Sequence, residues 1–422
     1  MDIARERRNQ LDWLAQVAYT TARLFVKNEL PNHAAATAFY FLLSAAPLVL
    51  LVSYAAQALA RLAETSNLAS ILLAAFYSQF HLDALMAMGF IPSGARAAVG
   101  GVSLLTLVLS SRGLVNAVQS AFRVIFPDDA KRRMIVNWSL PLVAIPALFL
   151  LVILAVLAQG ALAFLAQSDL LGAHAARVLQ TLNSVFALAA VVALVFAAYW
   201  RLPRPHPEAR LALVYALLCT VGLALLSAGF GLFFSIDKYR AVYGGLGGVV
   251  FVLIGAYFAC LVFYACAQAL QATMKVDVQA LERLFLGDDT AGRNRLEGWV
   301  FGRAQRLVDR YGRRFAPGEV LIREGETGES AFFLYRGRVA LWRGPEGQAR
   351  QLGTLEAGEL LGEMAYLLKE PRSATVLADT EVVALELPPE LLEELMRHSA
   401  PLARRIIGTL CLRLQRMNQA GG

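Results

Sequence analysis

Two charged side chains near the C-terminus could together recognise a small anion. Glu363 sits in Gly362-Glu363-Met364-Ala365. Arg372, nine residues on, sits in Pro371-Arg372-Ser373-Ala374-Thr375. A carboxylate accepts hydrogen bonds from a hydroxyl. A guanidinium fork holds anionic oxygens through charge-assisted bonds of ~1.5–3 kcal/mol each. Gly362 permits close approach, Ser373 and Thr375 add hydroxyls, and backbone N–H groups at a short turn can share an anion. The set suits a ligand that offers one sugar hydroxyl and one phosphate diester, as a cyclic nucleotide does. The alternative is that Glu363 and Arg372 pair with each other in a domain that binds nothing.

The surrounding sequence supplies a frame for such a site. From Leu296 onward an amphipathic helical stretch, LEGWVFGRAQRLVDRYG, precedes short β-like runs. Gly318, Gly325, Gly328, Gly337 and Gly358 fall where antiparallel strands must turn. The tail PPELLEELMRHSAPLARRIIGTLCLRLQRM reads as two helices, with Pro388–Pro389 opening one and Pro401 near the start of the next. The expected order is helix, β-roll, two helices.

The rest of the chain is a different material. Of its 422 residues 57% are hydrophobic and 17% charged, against about 25% charged in a typical soluble domain. Mean hydropathy is +0.53. Residues 30–60, 97–111, 139–168, 178–200, 211–236 and 241–274 contain no Asp, Glu, Lys or Arg. A spanning helix needs about 20 mostly apolar residues. Five of these runs reach that length, and 97–111 does so only with Arg112 at the boundary, which predicts six spans. The first 29 residues are charged, lack a signal-peptide pattern and include an amphipathic stretch expected to lie at the membrane interface. With the N-terminus inside, the inside segments carry twelve Lys and Arg and the outside loops five. This bias puts both termini in the cytoplasm. The net charge of +7 then reads as attraction to anionic lipid headgroups. No basic patch with interleaved aromatics points to nucleic acid, and no DNA-reading module is expected after the last helix.

Within the spans, Arg112, Asn116 and Gln119 recur at helical spacing, with Arg123 after them. They would line a polar transport path near the cytoplasmic side, or mark a helix end whose arginines snorkel to headgroups. Pro47 should kink the first span, and Gly244, Gly245, Gly247 and Gly248 open the last with room for close packing. Cys219, Cys260, Cys266 and Cys411 have no metal-ligand spacing, and the five histidines are scattered. No nucleophile elbow, Walker loop or zinc motif is present. No enzyme activity, metal or cofactor is therefore expected.

Residues 10–275 resemble the BrkB/YihY-type inner-membrane family. The matching pieces are AFYFLLSAAPL, SSRGLVNAVQSAFRVIF, YWRLPRP and SIDKYRAVYGGLGGV, in the family's order. The resemblance implies six membrane helices and transport of lipid or solute. Where the family ends its last span with Gly-Ala-Glu, this chain has Cys266-Ala267-Gln268. Residues 297–418 resemble the cyclic nucleotide-binding domain family through its phosphate-binding cassette, the Gly-Glu-apolar-Ala and Pro-Arg-small-Ala-Thr pair. That resemblance implies that Glu363 takes the ribose 2′-hydroxyl and Arg372 the cyclic phosphate, with Ser373 and Ala374 adding contacts. Tyr366 stands where a Leu is usual. Ser373 directly after Arg372 leans toward cyclic AMP over cyclic GMP.

The expected chain is an all-α polytopic bundle of six transmembrane helices followed by an α+β domain. Its parts would be an interfacial segment (1–33), the membrane domain (34–272), a linker (273–295) and the nucleotide-binding domain (296–422). The expectation is a plasma-membrane transporter-like protein regulated by cyclic nucleotide, or a tethered sensor without transport. A gated channel fits less well. The residues between the fifth and sixth spans leave no room for a pore helix and filter.

Overall fold

The computed structural model describes residues 2–44, 112–127, 173–204, 206–233, 246–286, 295–301, 304–345, 349–404, 406–408 and 411. These fall in two compact units, one of residues 21–271 and one of residues 1–20 with 272–422. Pro47, Gly244, Gly245 and the apolar runs 97–111 and 139–168 lie outside the described residues.

The first unit is helical. After a turn at Asn28–Glu29 come α2 (30–44) and α3 (112–125). α4 (Ala173–Arg201), α5 (Ala209–Phe233) and the first part of α6 (Gly247–Leu286) complete it. Two described helices are long and apolar enough to cross a membrane, Ala209–Phe230 within α5 and all of α6. Leu213, Leu217, Val221 and Leu225 of α5 are exposed. An apolar outer face of this kind is what hydrocarbon solvates and water does not.

Small and aromatic residues hold the helices together. Leu30, Ala34 and Ala38 of α2 are fully buried. Gly113 of α3 lies so close to the ring of Tyr40 that a Cβ there would collide with it. Tyr199 of α4 stacks on Phe263 of α6 at 5.2 Å, and its hydroxyl donates to the Phe263 carbonyl at 2.7 Å. Thr37 and Tyr264 share a hydrogen bond of 2.7 Å. Gln268, where the family resemblance leads one to expect Glu, is fully buried. It accepts from Asn28 Nδ2 at 3.0 Å and donates to Gln271 Oε1 at 2.9 Å. The Asn28–Gln268–Gln271 set is a neutral network that needs no counter-charge.

The second unit is α+β. Strands β1 (Gly312–Phe315), β2 (Val320–Ile322), β3 (Ala331–Arg336), β4 (Val339–Arg343), β5 (Arg350–Leu355), β6 (Leu360–Leu361), β7 (Thr375–Ala378) and β8 (Val382–Leu387) form two antiparallel sheets, ordered β1-β8-β3-β6 and β2-β7-β4-β5. The alternation of β3 explains the layering. Phe332 and Leu334 pack inside the roll with Val339, Val376 and Val382. Ala331 and Phe333 face the other way, onto helices. A strand whose period-2 faces are both apolar must be covered on both sides. Gly337, with φ +98, makes the β3–β4 turn against the Glu381 carbonyl, where a side chain would have no space.

The covering helices come from both ends of the chain. They are α7 (Arg295–Phe301), α8 (Gln305–Tyr311), α9 (Glu363–Leu368), α10 (Pro389–His398) and the helical residues 400–404 and 406–408. α1 (Asp2–Lys27) and the end of α6 add to them. The N-terminal amphipathic segment has partners within this unit. Val17 and Trp13 pack with Ala272 and Val276. Gln16 Nε2 donates to the Val300 carbonyl at 3.2 Å and Thr20 Oγ1 to Gln279 Oε1 at 3.1 Å. The stretch expected as a linker is helical through Leu286, and residues 287–294 lie outside the described residues. An apolar stripe, Val278, Leu281 and Phe285, gives that helix a core to join.

Candidate functional site

The candidate site starts at the junction of β6 and α9. Gly362 takes φ +78 there, a left-handed conformation that favours glycine. A Cβ on Gly362 would lie 2.5 Å from Arg372 Nη1, and one on Gly328 would lie 3.0 Å from Nη2. The two glycines therefore make the space the guanidinium fills. Glu363, the first residue of α9, is 2% exposed, and Arg372 is 7% exposed.

Main-chain groups hold Arg372 in place. Nη1 donates to the Gly362 carbonyl and Nη2 to the Ser330 carbonyl, each at 2.6 Å. The backbone of Arg372 is pinned as well. Its N–H donates to the Glu326 carbonyl at 3.0 Å, and its carbonyl accepts from Gly325 N–H at 2.9 Å. Burial lowers the affinity of this guanidinium for its proton, and the charges of Glu326 and Glu363 oppose that effect. Two neutral carbonyls leave the positive charge to be balanced by nearby carboxylates or by an incoming anion. A guanidinium has five N–H donors, so donors remain beyond these two bonds.

The other residues singled out from sequence separate by role. Ala365 is buried, Met364, Ala374 and Thr375 are half-buried, and Ser373 is exposed beside Arg372. Thr375 Oγ1 accepts from Glu324 N–H at 3.0 Å, so its hydroxyl ties β7 to the 323–326 turn. The polar stripe of α3 is unevenly covered. Arg112, Asn116 and Arg123 are exposed, while Gln119 is buried with no hydrogen-bond partner for its Oε1. Helical spacing put these residues on one stripe, but neighbouring helices cover only part of it. Among the described residues no group of three or more His, Cys, Asp and Glu could hold a metal, and the four cysteines are free thiols.

A cavity of about 120 Å³ opens beside Glu363. Gly358, Glu359 and Leu360 also line it, together with Phe285 of α6 and Leu402 and Ile406 of the C-terminal helical residues. Sequence reasoning left the wall from the final helix unnamed and missed Phe285. The signal existed in each case, as Leu402 and Ile406 are four apart on one helical face. Phe285 continues the stripe of Val278 and Leu281.

A family model described as "Virulence factor BrkB" matches residues 21–283, more than half of the chain. The chain belongs to the BrkB family. In this BrkB protein a second model, "Cyclic nucleotide-binding domain", matches residues 312–399, the β-roll and α10. The membrane family is thus fused to a cyclic nucleotide-binding domain. Curated relatives match the fused domain. A cAMP-dependent protein kinase regulatory subunit from Hypocrea atroviridis is 35% identical over 92 residues, 22% of this chain and 19% of its own length. A cyclic nucleotide-gated potassium channel from Rhizobium etli is 44% identical over 70 residues, 17% of this chain and 18% of its own. The matched part spans only about a fifth of each of these two. Among solved structures, the catabolite activator protein of Thermus thermophilus is 24% identical, covers 33% of this chain and 61% of its own, and has a TM-score of 0.27.

Proposed function

We propose that this BrkB protein is a plasma-membrane transporter-like protein for lipid or solute, regulated by a cyclic nucleotide bound at Glu363 and Arg372. One observation carries the nucleotide part. A buried arginine is held by two neutral carbonyls next to the glycine that precedes a buried glutamate. The cation suits an anion and the carboxylate a hydroxyl donor, and a cyclic nucleotide carries both. Cyclic AMP is the favoured ligand because Ser373 directly follows Arg372 and its side chain is exposed. The reading includes six membrane helices and both termini in the cytoplasm, where cyclic nucleotides are made. It involves no catalysis and no nucleic acid.

Support for regulation comes from α6. This 40-residue helix contributes its first part to the membrane family's unit and its last part, from Ala272, to the nucleotide-binding unit. At about 1.5 Å per residue, the helix greatly exceeds a bilayer's needs, so the same helix that reads as a span also supplies residues to the nucleotide-binding unit.

The test is titration of the full-length protein in lipid nanodiscs with cyclic AMP and cyclic GMP, followed by flux or lipid-transfer assays with each nucleotide. Micromolar binding with nucleotide-dependent movement of lipid or solute is expected. No binding below millimolar concentration sinks the nucleotide reading. Binding without movement of any substrate leaves a membrane-tethered sensor.

A further inference from the structure

The turn that joins α4 to α5 carries charge between two apolar helical stretches. α4 ends in Leu188–Arg201, and α5 opens directly into the apolar run Ala209–Phe230. Arg201, Arg204 and Arg210 stand in or beside the turn, and all three are exposed. Among the described residues no carboxylate pairs with any of them, although Glu208 is exposed in the same turn.

The turn is held in shape. His206 Nδ1 donates to the Trp200 carbonyl at 2.9 Å, and Leu202 N–H to the Ala198 carbonyl at 3.1 Å. Pro203 and Pro207 are buried, and each fixes its own φ. The Arg201 guanidinium lies 5.8 Å from the centre of the Trp200 ring, within cation–π range. Trp200 is itself 38% exposed. The arginines are thus displayed on a braced turn.

A further helix adds charge at this end of the unit. The rings of Phe122 on α3 and Tyr199 on α4 lie 6.4 Å apart. Arg123 follows Phe122 and comes near the level of the turn, and it too is exposed and outside any ion pair among the described residues.

What covers such a surface follows from its two halves. Within about two helical turns of it, α4 exposes Leu194 and α5 exposes Leu213 and Val214. Hydrocarbon solvates faces of this kind. A tryptophan where such faces meet the polar headgroups is the ordinary arrangement. Unpaired guanidinium groups just beyond it attract phosphate by charge and by their fork. An acidic protein segment or a nucleic acid would satisfy the arginines and leave the apolar faces bare. A phospholipid with net negative charge matches both halves at once.

We propose that the α4–α5 turn binds the headgroup of an anionic phospholipid, with Arg201, Arg204 and Arg210 on the phosphate side and Trp200 at the border with the acyl chains. The lipid is here a bound partner, separate from whatever the protein moves. The inference rests on reading α4 and α5 as membrane helices and is independent of the nucleotide site.

The experiment uses the full-length protein purified in detergent. Bound lipid is counted by native mass spectrometry during titration with phosphatidylglycerol or with phosphatidylcholine of the same acyl chains. Inorganic phosphate serves as competitor. Wild type should prefer phosphatidylglycerol by about fivefold or more, and equimolar phosphate should not displace it. The double variant Arg201→Gln, Arg204→Gln should lose about tenfold or more in affinity for phosphatidylglycerol and little for phosphatidylcholine. The double variant Arg7→Gln, Arg8→Gln removes the same charge from exposed positions on α1 and should keep the preference. Hydrogen exchange of residues 202–210 in wild-type nanodiscs needs no variant to fold. It should be slower in phosphatidylglycerol discs than in phosphatidylcholine discs. No preference in wild type, equal losses in the two double variants, displacement by inorganic phosphate, or unchanged exchange each overturns the inference. A protein that stays in solution without detergent overturns the membrane reading on which it rests.

Discussion

Arg372 is tied by its side chain to the residue immediately before Glu363: Nη1 donates to the Gly362 carbonyl at 2.6 Å. The cation and carboxylate of the cassette therefore move together. Gly362 belongs to the turn that starts α9, and Glu363 is the helix's first residue. A ligand held by Arg372 is thereby registered against Glu363 without any contact between the two side chains being needed.

Arg372→Ala should remove nucleotide binding, with a loss of roughly 100-fold or more, since two charge-assisted bonds of about 1.5–3 kcal/mol each are at stake. The variant should also melt at a lower temperature, because the Gly362 and Ser330 carbonyls lose their donor. Arg372→Lys keeps the charge but not the fork, so it should fall between wild type and Ala. Calorimetric titration and thermal unfolding of each variant separate the two effects. Wild-type affinity in Arg372→Ala would remove Arg372 from the site.

Glu363→Ala should distinguish ribose from deoxyribose. If the carboxylate accepts from the 2′-hydroxyl, the variant loses about tenfold or more in affinity for cyclic AMP. It should lose far less for the 2′-deoxy analogue, which has no hydroxyl to donate. The double comparison isolates the contact from any general damage. Equal losses for both ligands would mean that Glu363 supports the fold and does not read the sugar.

The cassette was legible in the sequence because its chemistry is local: Gly362, Glu363 and Arg372 lie within eleven residues of one another. The strands were legible through turn glycines such as Gly337, which needs its positive φ. What could not be read was anything set by distant pairing. The partner of Arg372 Nη2 is Ser330, 42 residues away. The amphipathic face of α1 predicts only that it is covered, and a lipid surface and a helix face offer the same hydrophobic gain. Its partners, Ala272 and Val276, lie some 255 residues on. Burial along the stripe of α3 is of the same kind: periodicity places Asn116 and Gln119 on one face, but only packing decides that Gln119 alone is buried.

Tyr311 should give the nucleotide-binding unit an alkaline limit. Burial, and then the charge of Asp277, push its hydroxyl from the ordinary value of 10.0 up to about 12. The folded state therefore prefers the neutral phenol. The stabilisation is fully present below about pH 10 and is lost as pH rises towards 12. Tyr311→Phe removes the titrating group and the 3.0 Å bond to Asp277. The variant should be slightly less stable at neutral pH, with a flatter decline above pH 10. Melting temperatures of both proteins between pH 8 and 11.5 provide the check, and parallel curves would refute it.

Asp277 should be the most damaging single position in the helical frame of that unit. It accepts from Arg306, Arg310 and Tyr311, joining the end of α6 to α8. Arg310 is 62% exposed at its side chain and contributes little. Arg306 decides the outcome, for its side chain is 9% exposed and its Nε and Nη2 are buried without hydrogen-bond partners. Removing its counter-charge leaves a buried cation, which costs about 3–5 kcal/mol. Asp277→Ala should therefore lower the melting temperature sharply, while Arg306→Met, which removes the cation too, should be milder. The double variant Asp277→Ala, Arg306→Met should recover most of the loss, because no buried charge remains to be solvated. If the double variant is as unstable as the two single losses added, the pair is not coupled and Asp277 acts only through Tyr311 and packing.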